Sequence, residues 1–147
     1  MRRLVAPIAI CFMFAGCSSQ ADAKSNLVFA MRHTISDRYV SLQLSQDRSY
    51  FILVDHENVE YKGVLTSADF EELSPHVSQA AIARLEDEVS RQSQGCDLDH
   101  DLQTYFLEFV GGGGCLLPTQ FTDEQARKDF EYLLSVFDQK AEEHGIR

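Results

Sequence analysis

An α+β fold, an antiparallel sheet of about four to six strands with two or three helices packed on one face, is predicted by three observations. Apolar residues recur with a period of two in several short runs before residue 66. They recur at helical spacing between residues 75 and 95, and again after residue 122. A further two-residue alternation, at residues 104–110, separates the two helical stretches, and that order of elements suits a sheet with its helices segregated to one side.

Leu27, Phe29 and Met31 start the first strand, and Val40, Leu42 and Leu44 alternate with Ser41, Gln43 and Ser45 in the clearest strand pattern of the chain. The polar turn Gln46–Ser49 leads to Tyr50–Val54, and Asp55–Asn58 leads to Val59, Tyr61 and Leu65. Short polar loops of this kind favour antiparallel hairpins. Gly63, inside the last of these strands, marks a bulge or a close backbone approach.

Thr66 or Ser67 is placed to cap a short helix ending at Leu73, and Ser74 before Pro75 is placed to open a second, whose stripe is Val77, Ala81, Ile82, Leu85 and Val89. Glu86, Asp87 and Glu88 are expected on or near its wet side. Tyr105, Leu107 and Phe109 form another strand, and Gly111–Gly114 reads as a mobile hairpin tip, because glycine has little conformational preference and loses much entropy on ordering. The final helix is announced by a capping-box pattern, Thr122 and Gln125, with Phe121 stapling onto Ala126. Its stripe is Phe130, Leu133, Leu134, Phe137 and Ala141, and Gly145 ends it. The sequence Gly63-Val64-Leu65-Thr66 loosely resembles the Gly-x-Leu-Ser/Thr link from strand to helix in small uncharacterised secreted bacterial domains. That resemblance implies the fold class and no function.

The first residues carry a different message. Arg2 and Arg3 precede an uncharged apolar run from Leu4 to Ala15, and the small pair Ala15-Gly16 precedes Cys17. The run is about a dozen residues, whereas a stable membrane-spanning helix needs about 20. Phe14-Ala15-Gly16-Cys17 resembles the lipobox of bacterial lipoprotein precursors. The resemblance covers only these seventeen residues, and Phe14 stands where leucine is usual. It implies a signal peptide over residues 1–16, cleavage before Cys17, lipid on that cysteine, and a membrane-attached protein of the cell envelope. Ser18, in place of an inner-membrane retention aspartate, favours the outer membrane, facing the periplasm, in a Gram-negative cell. Residues 17–25, small and polar, read as the lipidated tether, and residues 26–147 as one α+β domain.

The chain holds 13 Lys and Arg against 23 Asp and Glu, a net charge of −10. Loss of Arg2 and Arg3 with the leader lowers this to −12. So acidic a domain disfavours nucleic acid and anionic headgroups as partners, since both demand a basic face. A basic envelope protein or a cation suits it. Of the four cysteines, Cys11 leaves with the leader and Cys17 is lipidated, so Cys96 and Cys115 are expected to pair in an oxidising compartment. A loop of that size stabilises by about 3 kcal/mol.

Among residues that could carry chemistry, Asp97, Asp99 and Asp101 repeat the Asp-x-Asp-x-Asp spacing of a calcium loop, with Glu108 at its twelfth position. Leu102 occupies the place of the turn glycine, and the strand pattern through residue 108 carries Glu108 away from the aspartates, so calcium is an alternative and no cofactor is the primary expectation. Asp99, His100 and Asp101 also offer a weak site for zinc or another cation. No Gly-x-Ser-x-Gly elbow, His-Glu-x-x-His helix or phosphate loop is present, and His33, His56, His76 and His144 are scattered. The expected function is therefore a noncatalytic protein-binding module of inhibitor, immunity or adaptor type, with a cation-binding protein or a small hydrolase as alternatives.

Overall fold

The structure is a computed structural model, and it describes residues 27–93 and 104–147. Six strands form one antiparallel sheet: β1 (Leu27–Ile35), β2 (Arg38–Ser45), β3 (Ser49–Val54), β4 (Val59–Val64), β5 (Tyr105–Phe109) and β6 (Gly112–Leu116). Their spatial order is β4-β3-β2-β1-β5-β6. With the helices α1 (Ser67–Leu73), α2 (Gln79–Gln92) and α3 (Glu124–Glu143), this is the expected α+β fold.

Alternation decides which face is covered. Phe29, Met31, Val40, Leu42, Leu44, Ile52, Val54 and Leu107 point to one side of the sheet, where they join Leu85, Phe130, Leu133 and Phe137 of the helices in one core. The partners Met31, Leu42, Ile52 and Leu107 lie in one row across β5, β1, β2 and β3, so register and burial agree. The other side carries Arg32, Gln43, Glu60 and Lys62, all exposed.

The β1–β2 hairpin closes at Ser36 and Asp37, both at positive φ (48° and 62°), the signature of a two-residue turn whose twist matches its strands. Gly63 is a close approach: a Cβ there would fall 2.3 Å from the Tyr50 ring. Tyr50 is pinned over it, its hydroxyl 3.2 Å from Nε2 of His144 and its ring under the Lys140 ammonium.

Several local expectations are corrected. Thr66 does cap α1, with Asp69 N–H donating to Thr66 Oγ1 and Thr66 N–H donating to Asp69. The second helix, however, does not open at Ser74-Pro75. Those residues begin a single 3-10 turn (Ser74–Val77), and the extended backbone of Ser78 then restarts the helix, its hydroxyl accepting from Ala81 N–H. The cap of α3 is Asp123 rather than Thr122, because its carboxylate receives the N–H groups of both Gln125 and Ala126 while Thr122 turns toward α2. The glycine run is a strand for most of its length. Gly113 and Gly114 pair with Glu108 and Leu107, and a Cβ on Gly114 would meet Ser93 Oγ at 2.2 Å and Val89 at 2.7 Å. Glycine is required there because α2 lies directly on the backbone of β6. Glu88, finally, is not on a wet surface; it is 3% exposed.

Candidate docking site

Where α1, the 3-10 turn and the first half of α2 cross the end of the sheet that holds the start of β1 and the end of β5, they leave a groove of about 450 Å³. Its walls follow from small offsets in the helical pattern. Ala81, Leu85 and Val89 take the core stripe of α2, which leaves Ile82, one position away, half-buried and facing the groove. Phe70 and Val77 complete the helical wall, Leu27 and Phe109 the strand wall, and Val110 projects at 67% exposure.

Among the described residues that line this groove, Glu86 is the one ionisable side chain. Gly111 makes room for it, since a Cβ there would lie 3.0 Å from Glu86 Oε1. Beyond Glu86 a second, more polar cleft of about 440 Å³ is bordered by Asp87, Ser90 and Gly111–Gly113. An apolar trench therefore ends on a carboxylate lip. Such a surface can bury an aliphatic or aromatic side chain and receive a Lys or Arg beside it.

Among the described residues two buried carboxylates lie near the helices, and both are committed to structure. Asp129, 1% exposed, accepts from His76 Nδ1 (2.9 Å), Arg84 Nη2 (2.8 Å) and Gln125 Nε2 (3.2 Å), and the His76 ring stacks on Tyr132 at 4.0 Å. Burial raises its pKa, but the hydrogen bonds from Arg84, His76 and Gln125 outweigh burial and hold it below the usual carboxylate range. The cluster ties the 3-10 turn and α2 to α3. Glu88 is the second. Its Oε1 receives Thr122 N–H (2.9 Å), Thr122 Oγ1–H (2.7 Å) and Asp123 N–H (2.8 Å), and its Oε2 pairs with Arg91. Here too burial acts upward, and the bonds from Thr122, Arg91 and Asp123 together bring the pKa down to about 2.

Of the residues singled out from the sequence, Cys17, Cys96, Asp97, Asp99, His100 and Asp101 lie outside the described residues. Glu108 is a strand residue of β5, opposite Ala30 on one side and Gly113 on the other, with its side chain on the sheet face away from the helices. Cys115 occupies that same face of β6, opposite Phe106. Among the described residues no group of three or more His, Cys, Asp or Glu is arranged to hold a metal ion. No helix among them is long and apolar enough to cross a membrane. The groove itself was not legible beforehand: Ile82 reads as core, and nothing in periodicity separates a half-covered apolar position from a covered one. Compared with protein-family models, curated proteins and solved structures, the chain matches none.

Proposed function

We propose that this chain is a lipid-anchored envelope protein whose domain is a noncatalytic docking module for a basic partner protein, of inhibitor, immunity or adaptor type, with the groove between α1, α2 and β5 as its contact surface. One observation carries the reading: the apolar trench of Phe70, Val77, Ile82 and Phe109 terminates at Glu86, so hydrophobic burial and charge recognition fall side by side. The charge of −10 on the whole chain adds a long-range field that accelerates encounter with a cationic partner.

The test captures envelope proteins on the purified protein at low and high salt, in parallel with Ile82→Glu and Glu86→Lys. A basic protein held at low salt, released by salt, and bound roughly tenfold or more weakly by each variant is the expected result. Equal capture by the native protein and both variants, or no capture at either salt, overturns the reading.

The address is a separate part of the proposal, resting on the Arg2-Arg3 leader and on Phe14-Ala15-Gly16-Cys17. Cys17→Ser is expected to abolish lipid labelling and to shift the protein from the membrane fraction, because two or more acyl chains make attachment effectively stable. Unchanged labelling would move the anchor elsewhere. The Cys96–Cys115 disulfide belongs to the same reading, as the consequence of an oxidising compartment.

A further inference from the structure

Hydrogen-bond parity exposes one sheet edge in a specific way. Leu65 N–H donates to Arg48 C=O, so the residues of β4 whose backbone groups face β3 are Val59, Tyr61, Gly63 and Leu65. The backbone N–H and C=O of Glu60, Lys62 and Val64 therefore point outward. β4 is the terminal strand of the sheet, so among the described residues no further strand meets them. The side chains of Glu60 and Lys62 are 53% and 73% exposed, 3.9 Å apart on the same face, and Val64 is 64% exposed.

An edge carrying lysine alone discourages pairing with other strands. A glutamate two residues before the lysine changes that, because an antiparallel copy of β4 can then place opposite charges face to face. Only registers that align outward-facing residues of both strands can exchange backbone hydrogen bonds. Centred on Lys62 or on Glu60, such a register sets like charges against each other. Centred on Tyr61, it puts Glu60 opposite Lys62 of the second copy and Lys62 opposite Glu60, each pair exchanging both N–H···O bonds. The same register lays Val59 opposite Gly63 of the other chain, whose backbone is covered by its own Tyr50 ring.

We propose that β4 is a self-association edge, and that two copies of this chain join antiparallel about Tyr61 into one continuous sheet. The surface is distinct from the groove, so either reading can fail while the other stands. The strip is narrow, and the dimer is accordingly a weak one.

Sedimentation of the full-length protein in mild detergent, up to about 0.5 mM, reads the association, and hydrogen exchange reads its location. Expected are a concentration-dependent dimer and slower exchange at the Glu60, Lys62 and Val64 amides as concentration rises. Lys62→Glu and Glu60→Lys should each weaken the dimer by about tenfold or more, since each sets like charges opposite one another. The double variant Glu60→Lys with Lys62→Glu restores complementarity and should recover it. A monomer throughout the range, a dimer indifferent to the single reversals, or a double variant no better than the singles overturns the proposal. Both positions are exposed, and circular dichroism establishes that each variant keeps the fold.

Discussion

Glu88→Ala is expected to lower stability by about 3–5 kcal/mol, the usual consequence of removing one partner from a buried, charged, hydrogen-bonded arrangement. One carboxylate at 3% exposure serves the hydroxyl and N–H of Thr122, the N–H of Asp123, the Arg91 guanidinium and the amide of Gln92. Alanine would leave those donors without their acceptor just before Asp123, the residue that caps α3. Denaturant unfolding measures the loss; a change under about 1 kcal/mol would show that water replaces the carboxylate at little cost. Acid provides a second reading without mutation. The folded pKa, about 2, is below the ordinary 4.5, so the stabilisation is fully present above about pH 4.5 and disappears as pH falls toward 2. The difference corresponds to about 3 kcal/mol at neutral pH. In Glu88→Gln the acid-dependent loss between those pH values should shrink by that amount, whereas an unaltered profile would assign the acid sensitivity to other carboxylates.

Phe130→Ala is expected to cost about 3–5 kcal/mol as well, by a different physical route. The ring is 1% exposed, meets Tyr105 of β5 edge-on at 5.1 Å, and lies 5.5 Å from Phe121. Truncation removes the apolar contacts and leaves a void between α3 and the sheet that neighbouring rings can fill only in part. Tm should fall by on the order of 10 °C or more for a domain of this size. Unlike Glu88→Ala, the loss should be nearly the same at pH 7 and pH 3, because no titrating group is displaced. A pH-dependent loss would indicate that Phe130 acts through the nearby carboxylates.

The contrast between these two side chains shows where sequence reading succeeds. Phe130, Leu133 and Phe137 stand at helical spacing, and their burial follows from periodicity alone. The alternation in β2 determines equally which of its residues enter the core, whereas Tyr50–Val54 of β3 is apolar throughout and only its pairing with β2 selects Ile52 and Val54. Glu88 could not be found that way. Its carboxylate is compensated by residues about thirty-four positions later, and pattern analysis by residue type assigns the acidic run Glu86-Asp87-Glu88 to the surface. The hairpin at Ser36-Asp37 escaped for a local reason, since neither residue is the glycine or asparagine that usually marks positive φ. β6 escaped because three of its residues are glycine, which propensity places in loops. Packing required glycine there: helix α2 rests on that backbone.

The candidate groove belongs to the same class of feature. Its side chains are ordinary apolar positions, and only the crossing of α1 and α2 over the sheet end leaves them partly uncovered. The charge that frames it was legible in composition, while the placement of Glu86 over Gly111 was not.

The central position of β1 also determines an order of events. Its pairing with β2 joins neighbours in sequence, as do the β2–β3 and β3–β4 hairpins, so a four-stranded meander needs only the first part of the domain. The other flank of β1 waits for β5, far along the chain, and the core waits for α3 at the C-terminal end. A chain emerging N-terminus first thus carries β1 as an unpaired border with an uncovered apolar face until the last third has been delivered. Its vulnerable interval is set by the time between the arrival of β4 and the arrival of α3, and any delay in that stretch prolongs exposure of surfaces that the finished domain conceals.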